Sequence, residues 1–379
     1  MPKCNAFDNV LTIKLGKDIE FKPCCLFENR PDESFPVNET SFTDFNKNFI
    51  SNLKSTMEHS WHPGCKSCEV DEQEGFKSIR NKFNQSLSGK ENSIEYIEIF
   101  FSNQCNLACK MCSPLNSSKL KSLIELNPHL QKWYGDLEIK SNNYNLESIF
   151  KDVDLTKLKT VNFIGGEPFI SSDLDDFLDF LETKDLTKNL TCSIYTNSTF
   201  FPVKFLDKLK KFKAVIILIS VDGINDLANY IRTGFEWETI HKTIDAWLDF
   251  KKDNSNIYLK LTHTLQAYNI HQFDSIVEFC KQKKLIMEMY PINVKDYLSY
   301  KVLPIEYRQQ LIESGGLKDQ RILDILNNIE FDKELFDKFK EFTYTMDKAL
   351  NTSIEKTIPN LFKYFEQNEQ KSATRHISN

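Results

Sequence analysis

The chain has 379 residues, of which 40% are apolar and 27% charged, an ordinary composition for a globular protein with one large core and a smaller module. Its 48 basic side chains against 54 acidic ones give a formal net charge of −6, which argues against nucleic acid as a partner. No segment has the roughly 18 uninterrupted apolar residues of a membrane span, and the N-terminus lacks the apolar core of a signal peptide, so we expect a cytoplasmic protein without membrane contact.

Two short strands joined by a turn are predicted near the start of the chain. Residues 10–15 and 19–21 have strand character, and Gly16-Lys17-Asp18 between them is typical of a turn. This hairpin would deliver the adjacent Cys24 and Cys25 at its end.

Five of the ten cysteines lie in residues 1–89, which we interpret as a cysteine-rich module. In a reducing compartment, clustered cysteines are typical of metal sites rather than of disulfides. Cys65 and Cys68 form a C-x2-C pair, a spacing that fits zinc, a redox dithiol or an iron–sulfur cluster. One helix is predicted over residues 42–57 and a polar helix over residues 69–87.

Residues 90–292 alternate between apolar strand patterns and amphipathic helix patterns. The predicted strands are residues 96–101, 160–164, 191–195, 214–221, 257–265 and 285–290. The helices predicted between them are residues 120–133, 174–181, 203–212, 239–250 and 272–283. This alternation predicts an α/β fold with a parallel sheet wrapped by helices, an open, partial (β/α)6 barrel. In such barrels the chemistry lies at the C-terminal ends of the strands.

Residues 293–379 are predicted to form a C-terminal helical extension. Helical patterns cover residues 305–313, 319–328, 333–350 and 354–366, and the polar residues 367–379 are predicted to fray. The pattern does not decide whether these helices cap the barrel mouth or bind a partner.

Three cysteines follow the first barrel strand with the spacing C-x3-C-x2-C: Cys105, Cys109 and Cys112. Three thiolates on one short loop can each bind one iron of a cubane, which leaves a fourth iron without a protein ligand. A zinc site or buried thiols in a helix are the alternatives. The loop resembles the signature of the radical S-adenosylmethionine (SAM) superfamily, and its place in a chain of βα repeats strengthens the resemblance.

The resemblance implies a [4Fe-4S] cluster on this loop whose open iron binds SAM. An electron from the reduced cluster would cleave SAM to a 5′-deoxyadenosyl radical, which abstracts hydrogen from a substrate. It also implies an electron donor such as flavodoxin or ferredoxin. The family usually has an aromatic residue before the third cysteine, next to the adenine; here Met111 takes that place, and a flexible thioether can cover an adenine face.

A second motif, Gly165-Gly166-Glu167-Pro168, follows the second barrel strand. It resembles the family's GGEP motif, which binds the SAM amino group through backbone carbonyls and the glutamate. Two glycines let a backbone approach a ligand closely, and a carboxylate suits an ammonium group. The alternative is an ordinary glycine turn between a strand and a helix.

Polar residues also follow the third, fourth and fifth barrel strands. By resemblance, those that contact SAM are Thr196, Asn197, Ser220, Asp222, Arg232 and Gln266. A guanidinium suits the SAM carboxylate because it can donate two parallel hydrogen bonds. Taken singly, each residue also fits a plain structural role, as a cap or as a surface arginine.

The N-terminal cysteines resemble the SPASM and twitch auxiliary-cluster modules, although those modules usually follow the barrel in sequence. We expect a second [4Fe-4S] cluster held by Cys4, Cys24, Cys65 and Cys68, with Cys25 as a spare or substitute ligand. Structural zinc and unliganded thiols are the alternatives.

Four further residues have open interpretations. Cys192 and Cys280 are expected to pack as small apolar side chains. Glu95 and Glu98, on the first barrel strand, either face the barrel cavity or are solvated.

The resemblance favours a peptide or protein substrate slightly over a small metabolite, with oxidation, crosslinking or rearrangement as the outcome. The competing hypothesis is a non-catalytic scaffold that binds zinc or inert clusters. That hypothesis gives no reason for an open iron or for GGEP, and both motifs are present.

Overall fold

The computed structural model describes residues 3–15, 18–30, 32–73, 75, 77–135, 144–292 and 295–366. The predicted turn residues Gly16 and Lys17, and the predicted frayed end 367–379, lie outside this part of the chain. No helix among the described residues is long and apolar enough to cross a membrane.

The strands of the described chain form a large sheet and a small ribbon. The strands are β1 Val10–Leu15, β2 Ile19–Lys22, β3 Tyr96–Phe100, β4 Ala108–Cys109, β5 Thr160–Phe163, β6 Thr191–Thr196, β7 Ala214–Ser220, β8 Arg232–Thr233, β9 Ile257–Leu265 and β10 Ile286–Pro291. Eight of these described strands form one sheet in the order β10-β9-β7-β6-β5-β3-β1-β2, and β4 pairs with β8. Strands β3, β5, β6, β7, β9 and β10 pair in parallel, which confirms the partial (β/α)6 barrel.

The helices predicted over residues 174–181, 239–250 and 272–283 are confirmed, whereas those predicted over residues 42–57, 120–133 and 203–212 are α-helical only in part. The helices of the described chain are α1 Ala6–Asn9, α2 Phe42–Asp44, α3 Ser51–Met57, α4 Lys66–Gln73, α5 Ile79–Ser86, α6 Ser118–Leu126, α7 Leu146–Ile149, α8 Ser172–Thr183, α9 Leu206–Leu209, α10 Asp226–Ile231, α11 Trp237–Asp253, α12 Phe273–Lys283, α13 Ile305–Glu313, α14 Gln320–Asn328, α15 Lys333–Leu350 and α16 Ile354–Thr357. A π-helix, Phe45–Ile50, joins α2 to α3, and residues 359–366 are also helical.

The barrel core lies between the sheet and its covering helices. Along β6 the side chains alternate between buried and half-buried, and Cys192 and Ile194 on the covered face are 0% exposed. Helix α11 buries Ile240, Ile244 and Trp247, whose spacing of four and three residues places them on one helix face. The opposite face of the sheet, which we call the inner face, carries the half-buried side chains of β6.

The N-terminal hairpin extends the barrel sheet. Strand β1 pairs in parallel with β3, with Thr12 opposite Glu98, and β2 pairs antiparallel with β1. The polar helix predicted over residues 69–87 is wrong as a single element, because it divides into α4 and α5. The Ser78 side chain caps α5 by accepting a hydrogen bond from the Asn81 N–H, so a new helix begins there.

The C-terminal helices pack against the barrel through a second apolar core. Helix α15 buries Phe336, Phe339 and Phe342 at helical spacing against Leu120 and Tyr268 of the barrel segment. These helices therefore lie beside α6, the helix that directly follows the cysteine loop.

Candidate active site

The cysteine loop between β3 and α6 is shaped by backbone hydrogen bonds. Within the loop, β4 pairs antiparallel with β8, so that Cys109 lies opposite Arg232. The Cys112 N–H donates to the Cys109 carbonyl at 3.1 Å, and the Cys105 N–H donates to the Ser118 hydroxyl at 3.1 Å. The loop is therefore fixed at its start, middle and end.

The three loop thiols lie close enough to influence each other's charge. Burial raises the pKa of Cys105 and Cys109, and it raises the pKa of Cys112 to about 11. The thiolates of Cys105 and Cys112 contribute to the rise at Cys109, and that of Cys105 contributes to the rise at Cys112. Because thiolates gathered in apolar surroundings repel each other, bound iron would stabilise them here, and the donor set fits an iron–sulfur cluster.

The two glycines of the GGEP motif allow close packing of backbone segments. Gly165 has a φ of +86°, and an added Cβ would lie 2.0 Å from the Phe100 ring. A Cβ on Gly166 would lie 2.2 Å from the carbonyl oxygen of Gln104. The glycines therefore bring the GGEP backbone against the residue before Cys105. The sequence predicted a close approach of these glycines to a ligand, whereas the close approach seen here is to another part of the protein.

Glu167 joins the second and third barrel strands at their C-terminal ends. Its carboxylate accepts hydrogen bonds from the Thr196 hydroxyl at 2.8 Å, the Asn197 N–H at 2.5 Å and the Phe169 N–H at 3.2 Å. The side chain is buried, and burial raises its pKa to about 7 against these donors. The Asn197 amide nitrogen also lies 3.9 Å from the Cys105 sulfur, so this network reaches the cysteine loop.

Asp222 and Arg232 form a buried ion pair beside the loop. The Arg232 Nε donates to Asp222 Oδ2 at 2.7 Å, and the Thr264 N–H donates to Asp222 Oδ1 at 2.6 Å. Asp222 thus orients the guanidinium next to Cys109, which the β4–β8 pairing already places opposite it. A contact between Arg232 and a SAM carboxylate stays a prediction.

Other predicted SAM contacts lie at the same edge of the sheet. Ser220 ends β7, and its hydroxyl accepts from Thr262 at 3.3 Å. Gln266 follows β9, and its buried Oε1 has no hydrogen-bond partner among the described residues; the same holds for Ser198 Oγ and Thr233 Oγ1. Unpaired buried oxygens are rare in folded proteins, so these atoms fit a polar ligand at this edge.

Two further residues complete the predicted set. Pro168 begins the turn after the GGEP glutamate, where its carbonyl accepts from the Ser171 N–H at 3.1 Å. The half-buried Met111 packs against both apolar cores, so its thioether lies between the barrel and the C-terminal helices.

Four N-terminal cysteines lie together in one pocket. Cys4, Cys24, Cys65 and Cys68 line it with apolar side chains such as Trp61. Burial, with a smaller contribution from neighbouring thiolates, raises the pKa of Cys4 and Cys65 to about 12. The pKa of Cys24 is raised by burial and then by the other three thiolates. Four mutually repelling thiols again fit a bound metal centre.

Cys25 lies outside that pocket. Its thiol is beside the Glu98 carboxyl, and burial followed by this carboxylate raises the thiol pKa. Glu98 is buried on the inner face, where Oε2 accepts from Asn162 at 2.9 Å and Oε1 has no partner among the described residues. Glu95, by contrast, pairs with Lys159 at 2.6 Å.

No three His, Cys, Asp or Glu side chains of the described chain are arranged around a single metal ion. In a cubane the protein ligands bind different irons, so a cluster asks for a wider spacing than one ion does.

Two buried lysines that the sequence analysis did not identify support the cysteine loop. Lys110 is 0% exposed, and its ammonium donates to Asp347 at 2.8 Å on α15. Lys295 donates to the carbonyl of Cys112 at 2.9 Å. The position of Lys110 between two cysteines is a weak signal in the sequence, whereas Lys295 has none because it is distant along the chain.

A sequence profile described as "Radical SAM superfamily" matches residues 99–280. This segment, just under half of the chain, is similar to the radical SAM superfamily. The matched segment contains the cysteine loop, the GGEP motif and Arg232. The similarity supports a [4Fe-4S] cluster and SAM as cofactors.

Curated relatives are similar to this chain at low identity. "Radical SAM cyclopropyl synthase TigE" from Paramaledivibacter caminithermalis is 26% identical over 227 residues, which cover 58% of this chain and 46% of that protein. "Molybdenum cofactor biosynthesis protein 1" from Dictyostelium discoideum is 23% identical and covers 83% and 43%. "GTP 3′,8-cyclase" from Clostridium botulinum is 24% identical and covers 65% and 70%. The chain thus spans less than half the length of the first two relatives.

Solved structures are also similar. Native anSMEcpe with bound AdoMet has a TM-score of 0.40 and 17% identity, covering 68% of this chain and 67% of that chain. Streptococcus suis SuiB bound to S-adenosylmethionine has a TM-score of 0.35 and 14% identity, covering 87% and 73%.

Proposed function

We propose that this protein is a radical SAM enzyme whose cluster is held by Cys105, Cys109 and Cys112. The observation that carries the proposal is one loop that gathers three cysteines, with Cys109 buried and its pKa raised by the thiolates of Cys105 and Cys112, beside Glu167 and Arg232. When bound, the cluster supplies one-electron cleavage of SAM, and the resulting radical abstracts hydrogen from the substrate. The residues of the chain would bind the cluster and SAM and orient SAM beside the cluster.

The edge of the sheet that carries the GGEP motif would bind the amino and carboxylate groups of SAM. Glu167 accepts three hydrogen bonds from protein donors, which fix its carboxylate, and carboxylate oxygens have further lone pairs for an ammonium group. Asp222 orients Arg232 toward the loop, and the remaining N–H groups of the guanidinium suit a carboxylate. The unpaired Gln266 oxygen at the end of β9 would accept from the adenine or the substrate.

We also propose a second [4Fe-4S] cluster on Cys4, Cys24, Cys65 and Cys68. Their shared pocket and mutual pKa shifts support a metal centre with four thiolates. This centre would accept an electron from a substrate radical, or serve as architecture. Zinc bound at these four cysteines in place of iron would contradict the proposal of a second cluster.

The inner face of the barrel would contact the substrate. On that face β6 exposes the half-buried Ser193 and Tyr195, while Lys260 pairs with Glu288 at 2.6 Å between β9 and β10. We propose a peptide or protein substrate ahead of a small metabolite, modified by oxidation, crosslinking or rearrangement. Two relatives are named for ring-forming reactions, which favours bond formation within one substrate. A flavodoxin or ferredoxin would supply the electron.

Anaerobic reconstitution with iron and sulfide tests the proposal directly. With dithionite and SAM, we expect 5′-deoxyadenosine by mass spectrometry and about eight irons per chain, four for each cluster. About four irons per chain together with deoxyadenosine would support the enzyme but contradict the second cluster. Bound zinc without deoxyadenosine would favour a non-catalytic scaffold. Replacing Cys109 with Ala should abolish deoxyadenosine while the N-terminal iron remains.

A further inference from the structure

The outer side of the cysteine loop is contacted by the side chain of Lys295. Its ammonium donates to the carbonyl of Cys112 at 2.9 Å and to the carbonyl of Lys110 at 3.3 Å. Lys295 is 7% exposed and lies between β10 and the C-terminal helices. A long, flexible side chain is therefore held out of water against the backbone of the loop.

Two aromatic rings contact the same ammonium. Lys295 Nζ lies 4.2 Å from the centroid of the Tyr134 ring and 5.1 Å from that of Phe342 on α15. Ring faces attract a cation, most strongly where water is excluded.

Lys295 differs from Arg232 and Lys110, two other cations beside the loop, in having no carboxylate partner among the described residues. The charge of Arg232 is balanced by Asp222 at 2.6 Å, and that of Lys110 by Asp347 at 2.8 Å. Of the three, Lys295 therefore contributes an unbalanced positive charge to the thiolates. In a buried site such a charge is weakly screened.

We propose that Lys295 is a positioning residue that raises the reduction potential of the cluster bound by the cysteine loop. The inference rests on the proposed function, because it needs that cluster. Reduction adds one negative charge to the loop, and a nearby cation stabilises the reduced form more than the oxidised form. The potentials of iron–sulfur clusters depend on net charge and hydrogen bonding in this way.

Redox titration of the reconstituted full chain, followed by electron paramagnetic resonance, measures this potential. The cluster at the loop is recognised by the change that SAM causes in its spectrum, since an open iron is needed to bind SAM. We expect Lys295→Gln to lower the ratio of reduced to oxidised cluster at a fixed potential about tenfold, and Lys295→Arg to stay near wild type. Lys295→Met serves as a second neutral variant if the glutamine variant retains no iron.

Lys132→Gln is the matched control, because it removes the same charge from an exposed lysine that pairs with Glu341. An unchanged potential in the neutral Lys295 variants would overturn the proposal, and so would equal shifts in Lys295→Gln and Lys132→Gln. Equal decreases in the reduction potential of Lys295→Gln and Lys295→Arg would also contradict the proposal, because the shape of the side chain rather than its charge would then set the potential. If the wild-type chain has no SAM-responsive spectrum, the proposed function fails instead.

Discussion

Cys24 and Cys25 are adjacent in the chain, yet their thiols lie in different surroundings. The Cys24 thiol faces Cys4, Cys65 and Cys68, whose thiolates raise its pKa. The Cys25 thiol lies outside that pocket, beside the Glu98 carboxyl on the inner face of the barrel sheet. Both cysteines follow the hairpin β1–β2, which joins the barrel sheet at β3.

Serine substitutions at these neighbouring positions should therefore have different effects on bound iron. We expect Cys24→Ser to lose the N-terminal cluster, about four irons per chain, while Cys25→Ser retains it. Each variant is the control for the other, since the chemical change is the same. Iron and sulfide assays after anaerobic reconstitution measure the result. A loss of iron in Cys25→Ser, with Cys24→Ser unaffected, would reverse the assignment of ligands.

Gly166 is predicted to tolerate no side chain. A Cβ there would lie 2.2 Å from the Gln104 carbonyl, so Gly166→Ala must push the GGEP backbone away from the cysteine loop. We expect a loss of about 1–3 kcal/mol in the free energy of unfolding, the usual range for overpacking, and weaker iron retention by the loop.

Gly316→Ala is the matched control for this prediction. The nearest atom to its added Cβ would be the Ser314 hydroxyl oxygen at 3.5 Å, an ordinary contact, and we expect almost no change. Urea denaturation of both apo variants gives the comparison. Equal stability of the two variants would show that the GGEP backbone relaxes without cost.

Much of the barrel could be predicted from sequence because its patterns are local. The strand predicted over residues 257–265 and the helix predicted over residues 333–350 match β9 and α15, since apolar periodicity reports directly which face is buried. The cysteine loop and GGEP were recognisable because their residues are contiguous. Strand alternation also implied that these motifs meet at one edge of the sheet.

Contacts between distant segments could not be predicted in this way. Nothing in residues 10–15 shows that β1 pairs in parallel with β3, because strand character does not name a partner. Nor does periodicity show that Lys295 reaches Cys112, since a single lysine in an irregular segment has no pattern. The prediction for the GGEP glycines was also incomplete. It expected a close approach to a ligand, whereas the backbone at Gly166 lies against Gln104.

The buried carboxyl of Glu167 predicts a pH dependence of stability in the apo chain. Its pKa is raised from 4.5 to about 7, so the folded chain holds a proton that the unfolded chain loses between those values. This stabilising contribution is fully present below about pH 4.5 and is lost as the pH rises through about 7. By the size of the shift it amounts to about 3 kcal/mol at most.

Glu167→Gln removes the titrating group and is the comparison for this prediction. We expect the unfolding free energy of wild type to fall relative to that of Glu167→Gln between about pH 5 and about pH 8. Urea denaturation across that range measures the two curves. Parallel curves would mean that the three donors to the carboxylate keep its pKa near the ordinary value.

The ion pair between Lys110 and Asp347 is predicted to fasten helix α15 to the cysteine loop. Lys110 Nζ also donates to the Thr352 hydroxyl at 3.0 Å and lies 4.2 Å from the centroid of the Tyr230 ring. Asp347 in turn accepts from the Ile354 N–H at 2.7 Å. Asp347→Asn should leave a buried ammonium without its counter-charge, and we expect it to cost about 3–5 kcal/mol of unfolding free energy.

The exposed pair of Lys132 and Glu341 connects the barrel segment to the same helix and is the matched control. Glu341→Gln should cost less than about 1 kcal/mol, because water screens an exposed pair. Adding Lys110→Met to Asp347→Asn should recover part of the loss, since it removes the unpaired charge. Chemical denaturation of the apo variants measures all three effects. If Asp347→Asn costs no more than Glu341→Gln, the buried pair does not hold α15 against the loop, and apolar packing of Phe342 and its neighbours is sufficient.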